Sequence, residues 1–308
     1  MPVAPPSVKL DWPRFKKAIL DKLNGYILID DEPHPDAVLP DNVMPRCTAA
    51  EIQAGYALCW QLLDRGADMK AFRRLVWRIA RQGSATPEDQ LAFKDVRGRC
   101  KHLRFGFVNF DRRHIYPVLL QSAIVLMGNM QDAFKNGRRY TTLYYGLWLL
   151  LTTSPLFWWL AKLELRHFRP DTPEGVLAWQ RKENDNLAQA TQSALKGNGM
   201  SAHAFHCMRK VISRRTSFND TLRVIRPSTW LDDLAKSLAT MNGMMGELHD
   251  VLIERAMDGQ QDYRHDQFMP PKAILESLGD FVNQARGSGN VPPDKHVPPL
   301  AMPEGERR

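Results

Sequence analysis

The sequence predicts an all-α fold made of two pseudo-symmetric helical bundles related by an internal repeat. Apolar residues recur in steps of three and four through most of residues 50–257, and no stretch alternates with the period of a strand. A basic helix followed by an apolar helix is written twice: "VRGRCKHLRF" with "YPVLLQSAIVLMGNMQDAF", then "HCMRKVISRR" with "WLDDLAKSLATMNGMMGELHDVL". Two short motifs recur in order with similar but unequal separations: Arg97 falls onto Arg209, and Met127-Gly128-Asn129-Met130-Gln131-Asp132 onto Met245-Gly246-Glu247-Leu248-His249-Asp250.

Helices are expected at about 50–63, 68–82, 87–110, 116–136, 143–167, 173–196, 203–225 and 229–257. "RGAD" separates the first two, "QGSATPED" precedes the third, and "KNGRR", "RPDTPEG" and "KGNGMS" punctuate the rest. Pro117 suits a first helical turn, and Ser228 or Thr229 can cap the last of these helices. Tyr116, Leu120, Ala123, Met127, Met130 and Phe134 form one seam. Leu231, Leu234, Leu238, Met241, Met245, Leu248 and Leu252 form its counterpart.

Three regions follow. Residues 1–50, rich in Pro and Asp, read as an extended N-terminal arm with one helix near Trp12 to Leu23. Residues 51–268 hold the repeat, with halves at about 51–168 and 169–268. Residues 269–308 lose the apolar period and read as a Pro- and Gly-rich tail, largely disordered, with one further helix within Lys272 to Ala285.

The chain has 308 residues and a formal charge of +8, which favours acidic partners. Cys47, Cys59, Cys100 and Cys207 lack metal-finger spacing, and the N-terminus does not read as a secretory leader. Free buried thiols in a reducing cytoplasm are expected.

The basic residues are clustered in rows. Arg97, Lys101 and Arg104 share one helix face; His206, Lys210 and Arg214 share another, with Arg209 and Arg215 beside them. Lys70, Arg74, Arg78 and Arg81 form a third row. Like charges at this spacing repel, so each row needs an opposite charge or full solvation. Arginine's planar fork and lysine's mobile charge both suit phosphate oxygens. Rows facing one groove would follow a polyphosphate or a nucleic-acid backbone, with binding that weakens in salt. Asp132 and Asp250 are placed to pair with these arginines.

No Walker loop, dinucleotide fingerprint, GxSxG or HExxH is present, and no convergent acid–base pair is marked, so the expectation is no enzyme, no catalytic residues, no metal and no cofactor. The enzymatic alternative is a metal-dependent HD-type phosphohydrolase. It would use His203 or His206, the His249-Asp250 pair and a later Asp266.

One segment stands apart: "YTTLYYGLWLLLTTSPLFWWLA", from Tyr140 to Ala161, carries no charge. Its length matches a membrane span, yet Thr152-Thr153-Ser154-Pro155 interrupts it and both flanks are basic. A buried helix, or two short ones broken at Pro155, is the preferred reading, and a membrane partner is not expected. An adaptor anchored in a membrane through 140–161, or an exposed aromatic face used for self-association, are the alternatives.

With both halves laid out, the chain resembles the CHAD domain family. The resemblance rests on "FHCMRKVISRR" with "MGELHD" and on "VRGRCKHLRF" with "MGNMQDAF", and covers about residues 50–260. It implies two related helical bundles and inorganic polyphosphate bound in a basic groove between them. The binding positions it implies are His206, Arg209, Lys210, Arg214 and Arg215, with Arg97, Lys101 and Arg104 in the first half. Lys94 stands opposite His206, Ser213 opposite Lys101 and Thr216 opposite Arg104, while Arg215 occupies a place where the family pattern has leucine. The resulting expectation is a non-enzymatic module for polyphosphate or another polyanion, nucleic acid included. Arg74 and Arg78 are added to the binding set from the third row.

Overall fold

The computed structural model describes residues 23–26 and 33–288. The expected helix near Trp12 to Leu23 and the tail beyond Ser288 lie almost wholly outside the described residues. The chain is mostly helical, with α1 (Ala49–Asp64), α2 (Met69–Gln82), α3 (Pro87–Phe110), α4 (Val118–Lys135) and α5 (Arg139–Thr152). There follow α6 (Pro155–Arg166), α7 (Pro173–Leu195), α8 (Ala202–Ile225), α9 (Thr229–Met257) and α10 (Lys272–Ser288). Two strands of two residues each, β1 (Met200–Ser201) and β2 (Gln267–Phe268), pair antiparallel with Met200 opposite Phe268. They are too short for alternation to reveal them in sequence.

The starts of the helices are chemically marked. Thr48 and Glu51 close a reciprocal capping box on α1, and the Asp68 carboxylate accepts from the Lys70 and Ala71 amides at α2. Thr86 before Pro87 and Thr172 before Pro173 cap α3 and α7, while Ser201 and Ser228 cap α8 and α9. Each such cap is worth about 1 kcal/mol. Gly83 ends α2 in the left-handed region at φ 75°. The helix expected at 143–167 is two helices, because Pro155 has no N–H to continue α5 and instead opens α6.

Two apolar clusters form. The first gathers Tyr56, Phe72, Phe93, Phe107, Leu120, Met127, Met130 and Phe134 of α1–α4, with Tyr56 stacked on Phe168 at 3.7 Å. The second gathers Leu187, Phe205, Ile212, Leu238, Met245 and Phe281 of α7–α10, joined by Val43 and Met44 from the extended segment before α1. Ile274, Leu278 and Phe281 seat α10 in that cluster, so the part of the expected tail up to Ser288 is folded.

α3 and α8 are buried nearly all round over 99–110 and 211–222 and pack against each other there. Polar groups inside this contact satisfy one another: Asn109 donates to the Arg214 carbonyl at 3.2 Å, and the His102 ring lies 3.2 Å from both Thr221 Oγ1 and Ser217 Oγ. Burial pushes the His102 ring down to about 3.

Two expectations are corrected. The four cysteines are free, but Cys207 is exposed rather than buried. The 140–161 segment is two short helices broken at Pro155, as one reading had it, but they are not buried. Thr142, Gly146 and Leu149 of α5 face inward, Tyr145 and Leu150 are partly buried against the first cluster, and Tyr140, Leu143, Tyr144, Leu147, Trp148 and Leu151 are exposed. Among the described residues no helix is long and apolar enough to cross a membrane.

Candidate anion-binding cleft

The seam residues Met127 and Met130 turn α4 into the first cluster, which leaves Gly128 facing α3. Lacking a side chain, Gly128 lets the Arg97 guanidinium lie on the helix, so a β-carbon there would stand 3.2 Å from Nη2. Gly246 receives Arg209 in the same way, at 2.9 Å. Arg97 Nη1 donates to Gln131 Oε1 at 2.9 Å, and Arg209 Nη1 meets His249 Nδ1 at 3.3 Å. A guanidinium only donates, so His249 Nδ1 accepts and its Nε2–H is left to donate to Tyr263 Oη, 3.0 Å away.

Between these walls lies a cleft of about 800 Å³. Arg97, Lys101 and Arg104 of α3 line it with His206, Arg209 and Lys210 of α8. Lys94, Lys135 and Arg264 bring the lysines and arginines of its lining among the described residues to eight, against the two aspartates Asp132 and Asp250.

Burial governs the electrostatics. It pushes His206 down to about 3, with the charges of Lys210 and Arg209 acting in the same direction. The His206 ring stacks on His249 at 4.5 Å, and its Nδ1 is buried with no hydrogen-bond partner among the described residues. Burial also lowers Lys210 and brings Arg104 down to about 10. Arg104 lies 4.3 Å from the Phe105 ring centre and 5.0 Å from that of Tyr116, and donates to Gln121 Oε1 at 2.9 Å. Burial raises the Asp132 carboxyl against the pull of Arg97, with Asp250 adding to the rise. For Asp250, burial is outweighed by the His249 ring and the Lys135 and Arg209 charges, which leave its carboxyl below the ordinary value. Asp132 and Asp250 therefore sit within each other's field and each feels the charge of an arginine, but the hydrogen bonds of those arginines go to Gln131 and His249 rather than to the carboxylates.

Four expected binding residues do not line the cleft. Arg74 and Arg78 are on the outer face of α2, where Arg78 pairs with Asp89. Arg214 pairs with Glu183 and donates to Tyr116 Oη at 2.6 Å. Arg215, buried in α8, donates to the Gln180 carbonyl at 2.6 Å and to Asn184 Oδ1 at 2.9 Å. Arg215 thus acts as a structural donor inside the fold.

Lys135, Tyr263 and Arg264 were not expected. Lys135 sits three residues after Asp132 on the same helix face and was readable on spacing; Tyr263 and Arg264 arrive from the loop before β2, which has no period. Among the described residues no group of three or more His, Cys, Asp or Glu is placed to hold a metal ion. Asp266, the last ligand of the phosphohydrolase alternative, accepts from the Asp262 amide at 2.7 Å and is absent from the cleft lining.

The fold and this cleft together define a mostly helical protein with a cation-rich groove between two pairs of helices. No family model, curated protein or solved structure matches the chain.

Proposed function

We propose that the chain is a non-enzymatic polyanion-binding module that holds inorganic polyphosphate in this cleft. We also propose that it is a CHAD-like domain of two pseudo-symmetric bundles. One observation carries both readings. Laying the basic motif and the apolar motif of one half on those of the other, each in its own register, pairs residues that line the cleft: Lys94 with His206, Arg97 with Arg209 and Lys101 with Ser213 from the basic helices, Gln131 with His249 and Asp132 with Asp250 from the apolar ones. A doubled wall of arginine and lysine offers repeated donors at several points along one anion, which suits a repeating phosphate better than a single one.

The cleft's cations outnumber its carboxylates, so an incoming anion offsets charges that already repel one another. The free thiols fit a reducing compartment, and the cytoplasm is the proposed location.

The test is a titration of long-chain polyphosphate into the wild type and into the Arg97→Gln/Arg209→Gln variant. Charge-assisted hydrogen bonds of about 1.5–3 kcal/mol each predict a loss of affinity of at least about tenfold per arginine. Unchanged affinity in a folded variant would remove the cleft from the account.

A further inference from the structure

α5 carries apolar residues on both sides, with Tyr145, Leu149 and Leu150 packed on the first cluster. Its inward face carries Thr142, Gly146 and Leu149, and a β-carbon on Gly146 would collide with Ala80 of α2 at 2.5 Å. Its outward face carries Tyr140, Leu143, Tyr144, Leu147, Trp148 and Leu151, all exposed, with Tyr140 at 89%. These positions follow one another in helical steps and form a single stripe. Leu156, Trp159 and Leu160 extend the apolar surface onto α6. An exposed stripe of this kind marks an interaction surface.

The stripe has a basic rim. α2 runs antiparallel alongside α5: Gly83, at its end, abuts Arg139, while Arg73, near its start, donates to the Leu150 carbonyl. Along its solvent side α2 presents Lys70, Arg74, Arg78 and Arg81, with Trp77 48% exposed among them. Arg166, also exposed, closes α6.

We propose that this face docks on an anionic phospholipid surface, with the α5 stripe at the acyl-chain boundary and the rim of α2 among the headgroup phosphates. Among the described residues no helix is long and apolar enough to cross the bilayer, and the stripe with its basic rim suits a face that lies on the surface. Tyrosine and tryptophan, apolar with a polar tip, settle at that depth. A second copy seated on the stripe would bring a rim of like sign alongside, whereas an anionic bilayer supplies the opposite charge. Lys70, Arg74 and Arg81 of α2, which the cleft does not use, thereby face opposite charge, while Arg78 is held by Asp89.

The experiment is co-sedimentation of the full chain with phosphatidylcholine vesicles, with and without phosphatidylserine, together with light scattering for oligomeric state. Binding only to the phosphatidylserine vesicles is expected, with a roughly tenfold or greater loss in Leu147→Asp/Trp148→Asp and a clear loss in Arg74→Glu/Arg81→Glu. These positions are exposed, and unchanged polyphosphate affinity reports that the variants are folded. The cleft variant Arg97→Gln/Arg209→Gln should still bind vesicles. Failure to bind, binding that survives Leu147→Asp/Trp148→Asp, loss in the cleft variant, or a dimer that dissociates on Leu147→Asp would each overturn the proposal.

Discussion

The Arg209 guanidinium lies so close over Gly246 that a β-carbon there would stand 2.9 Å from Nη2. A glycine inside a helix costs about 1 kcal/mol relative to alanine, so α9 gives up helix stability at the point where it seats an arginine. Gly246→Ala is therefore expected to leave Tm unchanged or higher while weakening polyphosphate binding severalfold, because the flexible end of Arg209 must leave His249. Thermal melts and titrations on the same sample check both parts.

Arg215 should behave in the opposite way. Its hydrogen bonds to the Gln180 carbonyl and Asn184 Oδ1 are buried, and Arg215→Met removes both, leaving Asn184 Oδ1 without the guanidinium donor. A stability loss of about 2 kcal/mol or more is expected. Polyphosphate affinity of the folded fraction should not change. Denaturant titration paired with binding separates this role from that of Arg209.

Acid should destabilise the protein well before its carboxylates titrate. His102 and His206 take a proton near 6.5 when unfolded, but only near 3 when folded. Between those values the unfolded chain binds more protons, so their contribution is full above about 6.5 and is lost progressively as pH falls toward 3. For the fully buried His102 the slope approaches about 1.4 kcal/mol per pH unit. Chemical denaturation across that range should show the decline, and His206→Gln should make it shallower without abolishing it.

Thiol chemistry reports on the core. Burial pushes Cys47, Cys59 and Cys100 up to about 12, whereas Cys207 is exposed on α8. A maleimide should label one thiol in the native protein and all four in denaturant, as counted by mass spectrometry.

Much of this was legible in the sequence, for identifiable reasons. The helix boundaries follow from caps and breakers such as Thr86-Pro87, Thr172-Pro173 and Gly83, which act locally. Arg97 and Arg209 were found because each precedes an apolar helix with a glycine in matching register. Arg214 and Arg215 misled because charge pattern alone does not tell which face of a helix looks inward, and here that face is satisfied by Glu183, Gln180 and Asn184. Tyr263 and Arg264 reach the cleft from a loop, where tertiary placement leaves no periodic trace. The α5 stripe was readable only as an alternative to a buried helix, because an uncharged run fits either, and the packing of Gly146 on Ala80 settles which side is inside.

The central claim is most directly tested by titrating long-chain polyphosphate, pyrophosphate and single- and double-stranded nucleic acid into the wild-type protein across a salt series, with metal content measured on the same sample. The account predicts tight binding of the long chain, weaker binding of pyrophosphate and nucleic acid, a steep fall of affinity with salt, and no dependence on bound metal. Weak binding that fails to separate these anions, or binding that requires a metal ion, would contradict it.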